Sequence, residues 1–120
     1  MNMRKFVEDH GLVLMEAAII ERLRRDSRLD LHPALANTPL IHDEAGRRAL
    51  ERCYRDYIDI ALNAELPFVM TTPTWRANRE RVEASGLNNR INRDAAQFMG
   101  SLRSAYAGSE DRIKIGGMIG

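Results

Sequence analysis

Two places in this sequence set side chains at a spacing that could do chemistry. The richer is Thr72-Pro73-Thr74-Trp75-Arg76, which packs two hydroxyls, a rigid proline, an indole and a guanidinium into one short stretch. Such a group can hydrogen-bond a carboxylate and wall an apolar substrate. The plainer alternative is a turn in which a threonine caps the next helix and the tryptophan fills the core. The other is Glu16, followed by Ala17 and Ala18 at the end of an apolar run. A carboxylate there can act as a base or hold an amine, or it can be an ordinary solvated or salt-bridged acid. Glu16, Thr72, Thr74, Trp75 and Arg76 are therefore the candidate substrate-binding residues.

Other reactive types point to less. Cys53 falls within an apolar helical stripe and reads as a buried, inert thiol. His10, His32 and His42 form no i, i+4 pair and have no neighbouring cysteine, so no metal site is expected and no cofactor is assigned. Arg76, Arg79, Arg81, Arg90 and Arg93 make a locally basic stretch without interleaved aromatics, which reads as a solvated helical face and not as a nucleic-acid interface.

The elements that must position the candidate residues follow from periodicity. Leu12–Met15 and Phe68–Thr71 are near-continuous apolar runs, the pattern of strands covered on both faces; the short Ile113-Lys114-Ile115 run, leading into Gly116-Gly117, reads as a third strand. From Glu44 to Leu62 the period becomes helical, with Leu50, Cys53, Tyr54, Tyr57, Ile58 and Ala61 on one stripe and Asp43 as N-cap. Further helices are expected over Ala17–Arg25, over Ala77–Ala84 closed by Ser85-Gly86, and over Arg93–Tyr106 with Asn92 as cap. Arg28–His42, with Pro33 and Pro39, reads as an extended loop, and Met1–His10 as a charged lead without the apolar core of a secretory signal. Strands alternating with helices predict right-handed crossovers and a parallel α/β sheet. In such sheets ligands sit beyond the carboxyl ends of the strands, where Glu16 and the Thr72–Arg76 stretch both fall.

Composition narrows the function classes. The chain has 120 residues, 29% charged and 44% hydrophobic, with a formal net charge of +1. That balance excludes a disordered chain and gives no broad electrostatic footprint for nucleic acid or anionic lipid. No apolar stretch is long enough for a membrane span. With a single cysteine and no internal disulfide, the cytoplasm is the expected location.

Several separated motifs agree with one another: Leu29-Asp30-Leu31-His32-Pro33; Asp43-Glu44-Ala45-Gly46-Arg47; Tyr54-Arg55-Asp56-Tyr57-Ile58-Asp59-Ile60-Ala61; Pro73-Thr74-Trp75-Arg76-Ala77-Asn78; and the closing Ile115-Gly116-Gly117-Met118-Ile119-Gly120. In this order, from about Leu12 onward, they resemble the N-terminal part of the homocysteine S-methyltransferase family. The resemblance implies the first βα units of a TIM (β/α)8 barrel, about three parallel strands with flanking helices. A complete barrel typically needs ~250 residues. It implies methyl transfer to the thiol of homocysteine to give methionine, with zinc holding the sulfur as thiolate in a complete member. It places an amino-acid thiol against Glu16, Thr72, Thr74, Trp75 and Arg76. Where the family has Asp-Gly-Gly or Asp-Gly-Ala, this sequence has Glu16-Ala17-Ala18; a family glycine before the second strand is replaced around Glu65. The family's zinc-binding cysteines lie on later strands and have no counterpart in residues 1–120, so the chain alone is expected to be inactive. The competing expectation is a non-catalytic α/β half-barrel module for assembly or small-ligand binding. In either case the incomplete barrel is expected to pair as a homo-oligomer or with a complementing C-terminal chain.

Overall fold

A computed structural model describes residues 2–120. Three parallel strands, β1 (Leu14–Met15), β2 (Phe68–Thr71) and β3 (Ile113–Gly116), form an open sheet in the order β1-β2-β3. Leu14 pairs with Phe68, and Phe68 with Ile113. The mixed α/β architecture expected from the alternating pattern is present. The first strand is shorter than the apolar run: Leu12 and Val13 lie outside it, and Leu12 is exposed.

The first crossover runs through α2 (Ile19–Arg24) and α3 (Glu44–Asn63), and the second through α4 (Arg79–Ser85) and α5 (Ile91–Ser104). Helix α3 begins where the sequence places its cap: the Asp43 carboxylate accepts the Gly46 N–H at 2.8 Å. Its apolar stripe then buries Leu50, Cys53, Tyr54, Ile58 and Ala61 against β2 and its neighbours. Gly46 lets the segment before the helix lie close on it, because a Cβ there would sit 2.6 Å from the Leu40 carbonyl oxygen. Helix α4 ends on Gly86 in the left-handed region, as its Ser85-Gly86 ending suggests.

Several expectations need correction. The charged lead contains a helix, α1 (Met3–His10), opened by Asn2 and stopped by Gly11; its one buried side chain is Phe6. The 28–42 segment is not simply extended: His32 and Ala36 form a small antiparallel bridge, and Thr38–His42 is a 3-10 turn started by Pro39 and burying Leu40 and Ile41. Helix α5 starts two residues before the expected boundary, with Arg90 at its cap, while the Asn92 amide donates to the Ala77 carbonyl at 2.8 Å. Tyr106 lies beyond that helix and donates its hydroxyl to Asp59. Helices α2 and α4 are also shorter than expected: Ala18 and Asn78 serve as their caps.

Alternation along the strands gives the sheet two unlike faces. Phe68, Met70 and Ile113 point into the main core and are at most 1% exposed. Met15, Val69, Thr71, Lys114 and Gly116 share the other face; a Cβ on Gly116 would meet Thr71 and Val69. Phe6 of α1 reaches this second face, with the Lys114 ammonium 5.0 Å from its ring centre. No described helix is long and apolar enough to cross a membrane.

Candidate functional site

At the carboxyl ends of β1 and β2 the chain leaves an open cleft of about 550 Å³. Glu16, Thr72 and Trp75 line it, together with Asn37, Tyr54 and Met118. Its position follows from the parallel sheet: both strands stop here, β1 into Glu16 and β2 into Thr72, and helix dipoles and turns replace the ladder. Three of the five candidate residues are thus brought together. Thr74 and Arg76 do not line this cleft. Arg76 lies over the Trp75 ring, 4.4 Å from its centre, and lines a neighbouring cavity of about 380 Å³ with Arg24 and His32. Trp75 and Arg24 border both spaces.

Glu16 is not a free surface acid. Its Oε1 accepts the Thr71 N–H at 3.0 Å and also the Thr71 hydroxyl, so the carboxylate ties the end of β1 to the end of β2. Its Oε2 is buried, and no protein donor among the described residues reaches it. Tyr54, on α3, donates its hydroxyl to the Thr71 carbonyl at 2.7 Å. Burial first, and the nearby Glu16 charge second, push the Tyr54 phenol up, so it stays a protonated donor. Both polar groups of the Thr71 backbone are therefore held by side chains at the cleft.

The two threonines are clamps. Thr72 and Thr74 are 7% and 5% exposed, and their hydroxyls lie 2.7 Å apart. Thr72 Oγ1 accepts the Met118 N–H at 3.3 Å, and the Thr74 hydroxyl donates to the Met118 carbonyl at 3.2 Å. The pair holds the backbone after β3 along one side of the cleft. Neither threonine caps α4, which is the role of the Asn78 side chain. Trp75 is 42% exposed, so the indole is a wall of the cleft and not a core filler.

The chain turns sharply beside these groups. Ala18 has φ 55 and Ala36 φ 52, both in the left-handed region, and Glu65 has φ 58 just before β2. A residue with a Cβ pays roughly 1–2 kcal/mol in that region. Ala18 sets the angle at which α2 leaves the cleft, and Ala36 delivers Asn37 to its wall.

The cysteine and histidines of the described residues do not fit a zinc centre. Cys53 is buried in α3, and burial pushes its thiol up, away from the thiolate a metal needs. The imidazoles lie apart from it and are otherwise engaged: His10 with the Phe6 carbonyl, His32 Nδ1 with the N–H groups of Ala34 and Leu35, and His42 with Asp94 at 2.8 Å. Among the described residues no group of three His, Cys, Asp or Glu side chains is placed to hold a metal.

Two of the cleft residues lay outside sequence reasoning. Tyr54 reads in the sequence as one more member of the α3 stripe; only its length carries the hydroxyl past the core to the strand end. Asn37 gives no signal beyond its place in a proline-bounded segment. No protein-family profile, curated protein sequence or solved structure matches this chain.

Proposed function

We propose that residues 1–120 form the first βα units of a homocysteine S-methyltransferase-type TIM barrel and contribute its cleft for an amino-acid thiol. The observation that carries this reading is the cavity at the carboxyl ends of β1 and β2, which gathers Glu16, Thr72 and Trp75 about a largely apolar space. Two backbone details support it. Ala18 takes up a left-handed conformation where the resemblance puts glycine or alanine, and so does Glu65 near a position where it puts glycine. Glu16 would hold the ligand's amino group, and Trp75 would lie against its side chain. Methyl transfer to the ligand sulfur needs thiolate ligands for zinc that these residues do not provide, so the chain alone is proposed to bind without turning over.

Titration of the purified chain with homocysteine tests the reading. Trp75 is the only tryptophan, so its fluorescence reports the cleft directly. A saturable change is expected, weakened in Glu16→Gln; no change up to millimolar ligand would overturn the assignment.

A second reading, a non-catalytic half-barrel module, draws on the work the polar groups already do. Glu16, Thr72 and Thr74 all hold backbone, which a purely structural module would also require. In both readings the open sheet is completed by another chain, either a second copy or a complementing C-terminal piece, in the cytoplasm. Met15 is 55% exposed on the uncovered face, and both outer strands have an unpaired edge. Sedimentation at micromolar concentration is expected to show a dimer or larger species; a folded monomer throughout would remove this part of the proposal.

A further inference from the structure

We infer that Asn37 is a ligand-binding residue of the cleft, and that with Glu16 it selects a primary ammonium group over an N-methylated one. The inference rests on the cleft being a binding site, as proposed above.

Buried polar atoms in folded proteins nearly always have partners, so each exception asks for a cause. Among the described residues, two buried side-chain oxygens receive no protein donor: Glu16 Oε2 and Asn37 Oδ1. They come from segments far apart in sequence, yet both residues line the same cavity. Asn37 is only 3% exposed, and its backbone carbonyl is already committed to the Leu40 N–H at 3.2 Å. The left-handed Ala36 just before it fixes the turn that brings it to the wall. A buried side-chain oxygen left unpaired, on a residue that a strained turn brings beside a cavity, is costly to keep unless something there uses it.

The charge of the lining says what that something is. The ionisable side chains along the cleft are Glu16, Glu21, Arg24 and Tyr54. Arg24 is ion-paired with Glu21, and the Tyr54 phenol stays protonated. The Glu16 carboxylate is the remaining uncompensated charge, so a cation is favoured over an anion. Two acceptors, one charged and one neutral, call for a cation with at least two N–H bonds. A primary ammonium has three. A quaternary ammonium has none and would leave both oxygens unpaired while still being drawn to the charge. The rest of the wall, including Ile20, Met118 and Trp75, suits an apolar or thioether tail on the same ligand.

The probes are 2-(methylthio)ethylamine and its N,N,N-trimethyl derivative, which share the tail and the charge and differ in N–H bonds and in the bulk of three methyl groups; the Asn37 variants separate the two differences. Binding is read by Trp75 fluorescence and by calorimetry. In the natural sequence the primary amine is expected to bind at least tenfold more tightly. Asn37→Leu should reduce that ratio several-fold by weakening the primary amine alone. Asn37→Asp keeps an acceptor at the same place and should retain or tighten the primary amine. An unchanged ratio in Asn37→Leu, or loss of primary-amine binding in Asn37→Asp, would overturn the inference; the latter would mean that the side chain presents its NH2 to the ligand. Should Asn37→Leu fail to fold, the ratio in the natural sequence and in Asn37→Asp decides. Equal binding of the two probes, with homocysteine still binding, would sink this selectivity and leave the cleft assignment standing. Silence from both probes and from homocysteine would remove the cleft itself.

Discussion

The two faces of the sheet are built from alternate residues of the same strands, yet they have different fates. On one face Phe68, Met70 and Ile113 are sealed beneath the crossover helices. On the other, Met15 is exposed, Val69 and Thr71 are half-buried, and Phe6 of α1 comes down onto Lys114. The sealed face is held by side chains that meet partners within this chain, whereas the second face is mixed: Met15 stands exposed beside half-buried Val69, Thr71, Lys114 and Gly116. Burial on one side and hydrogen bonding at the strand ends therefore carry separate duties: the first holds the fold, and the second shapes the cleft.

The sharpest way to break this comparison is a pair of truncations one residue apart. Phe68→Ala is expected to cost about 3–5 kcal/mol, the range for deleting a buried aromatic side chain. Val69→Ala is expected to cost about 1 kcal/mol. Urea unfolding checks both, and comparable losses would show that the second face is as well packed as the first. Next in size, Glu16→Ala removes the acceptor for the Thr71 N–H and hydroxyl and should cost about 1–3 kcal/mol. Its loss should fall on the strand ends, seen as faster amide exchange at Thr71 with little change around Phe68.

Smaller still, Ala18→Gly should stabilise the chain by about 0.5–1 kcal/mol, because glycine takes the left-handed conformation without the Cβ penalty. Thermal melts check the sign; destabilisation would mean that the alanine methyl makes packing contacts worth more than the strain. The smallest effect concerns Asp26, away from both faces. Its carboxylate accepts from the Arg28 guanidinium at 2.9 Å and from the Arg28 N–H at 3.0 Å. These hydrogen bonds lower its pKa from 3.8 to about 2. A folded value below the unfolded one means that the pair adds stability above the ordinary carboxylate range and loses it as pH falls toward about 2. A carbon-detected NMR titration should place the Asp26 midpoint near 2, and Arg28→Gln should return it toward 3.8.

What the sequence disclosed was what periodicity carries. The apolar runs Phe68–Thr71 and Ile113–Ile115, the stripe from Leu50 to Ala61 and the Asp43 cap each rest on contacts that repeat along the chain, and each is found in place. Helix α1 escaped because a lead rich in Arg, Lys, Glu and Asp carries only one residue, Phe6, that ends up buried. The 3-10 turn escaped because prolines mark both loops and tight helices. At the cleft, Glu16, Thr72 and Trp75 were legible as polar or aromatic groups at strand ends. Thr74 and Arg76 were drawn in by adjacency, but consecutive residues of a turn point different ways, one to Met118 and the other over the indole. Asn37 depends on a single backbone angle at Ala36, which no pattern of residue types encodes.

The strand pairings also govern the order in which the molecule assembles. Both are distant in sequence: Leu14 must find Phe68, and Phe68 must find Ile113. The entropy of closing a loop grows only with the logarithm of its length, about 0.6 kcal/mol per doubling, so the two closures cost nearly the same. What separates them is the reward, since β3 meets β2 over four paired positions and β1 over two. Strand β3 should therefore dock on β2 early and β1 arrive last, bringing Glu16 with it. Non-local strand pairing slows folding relative to a helical bundle of the same size. On that ordering the cleft would be the last part to form and the first to open, with amide exchange at Thr71 faster than at Phe68 as its signature.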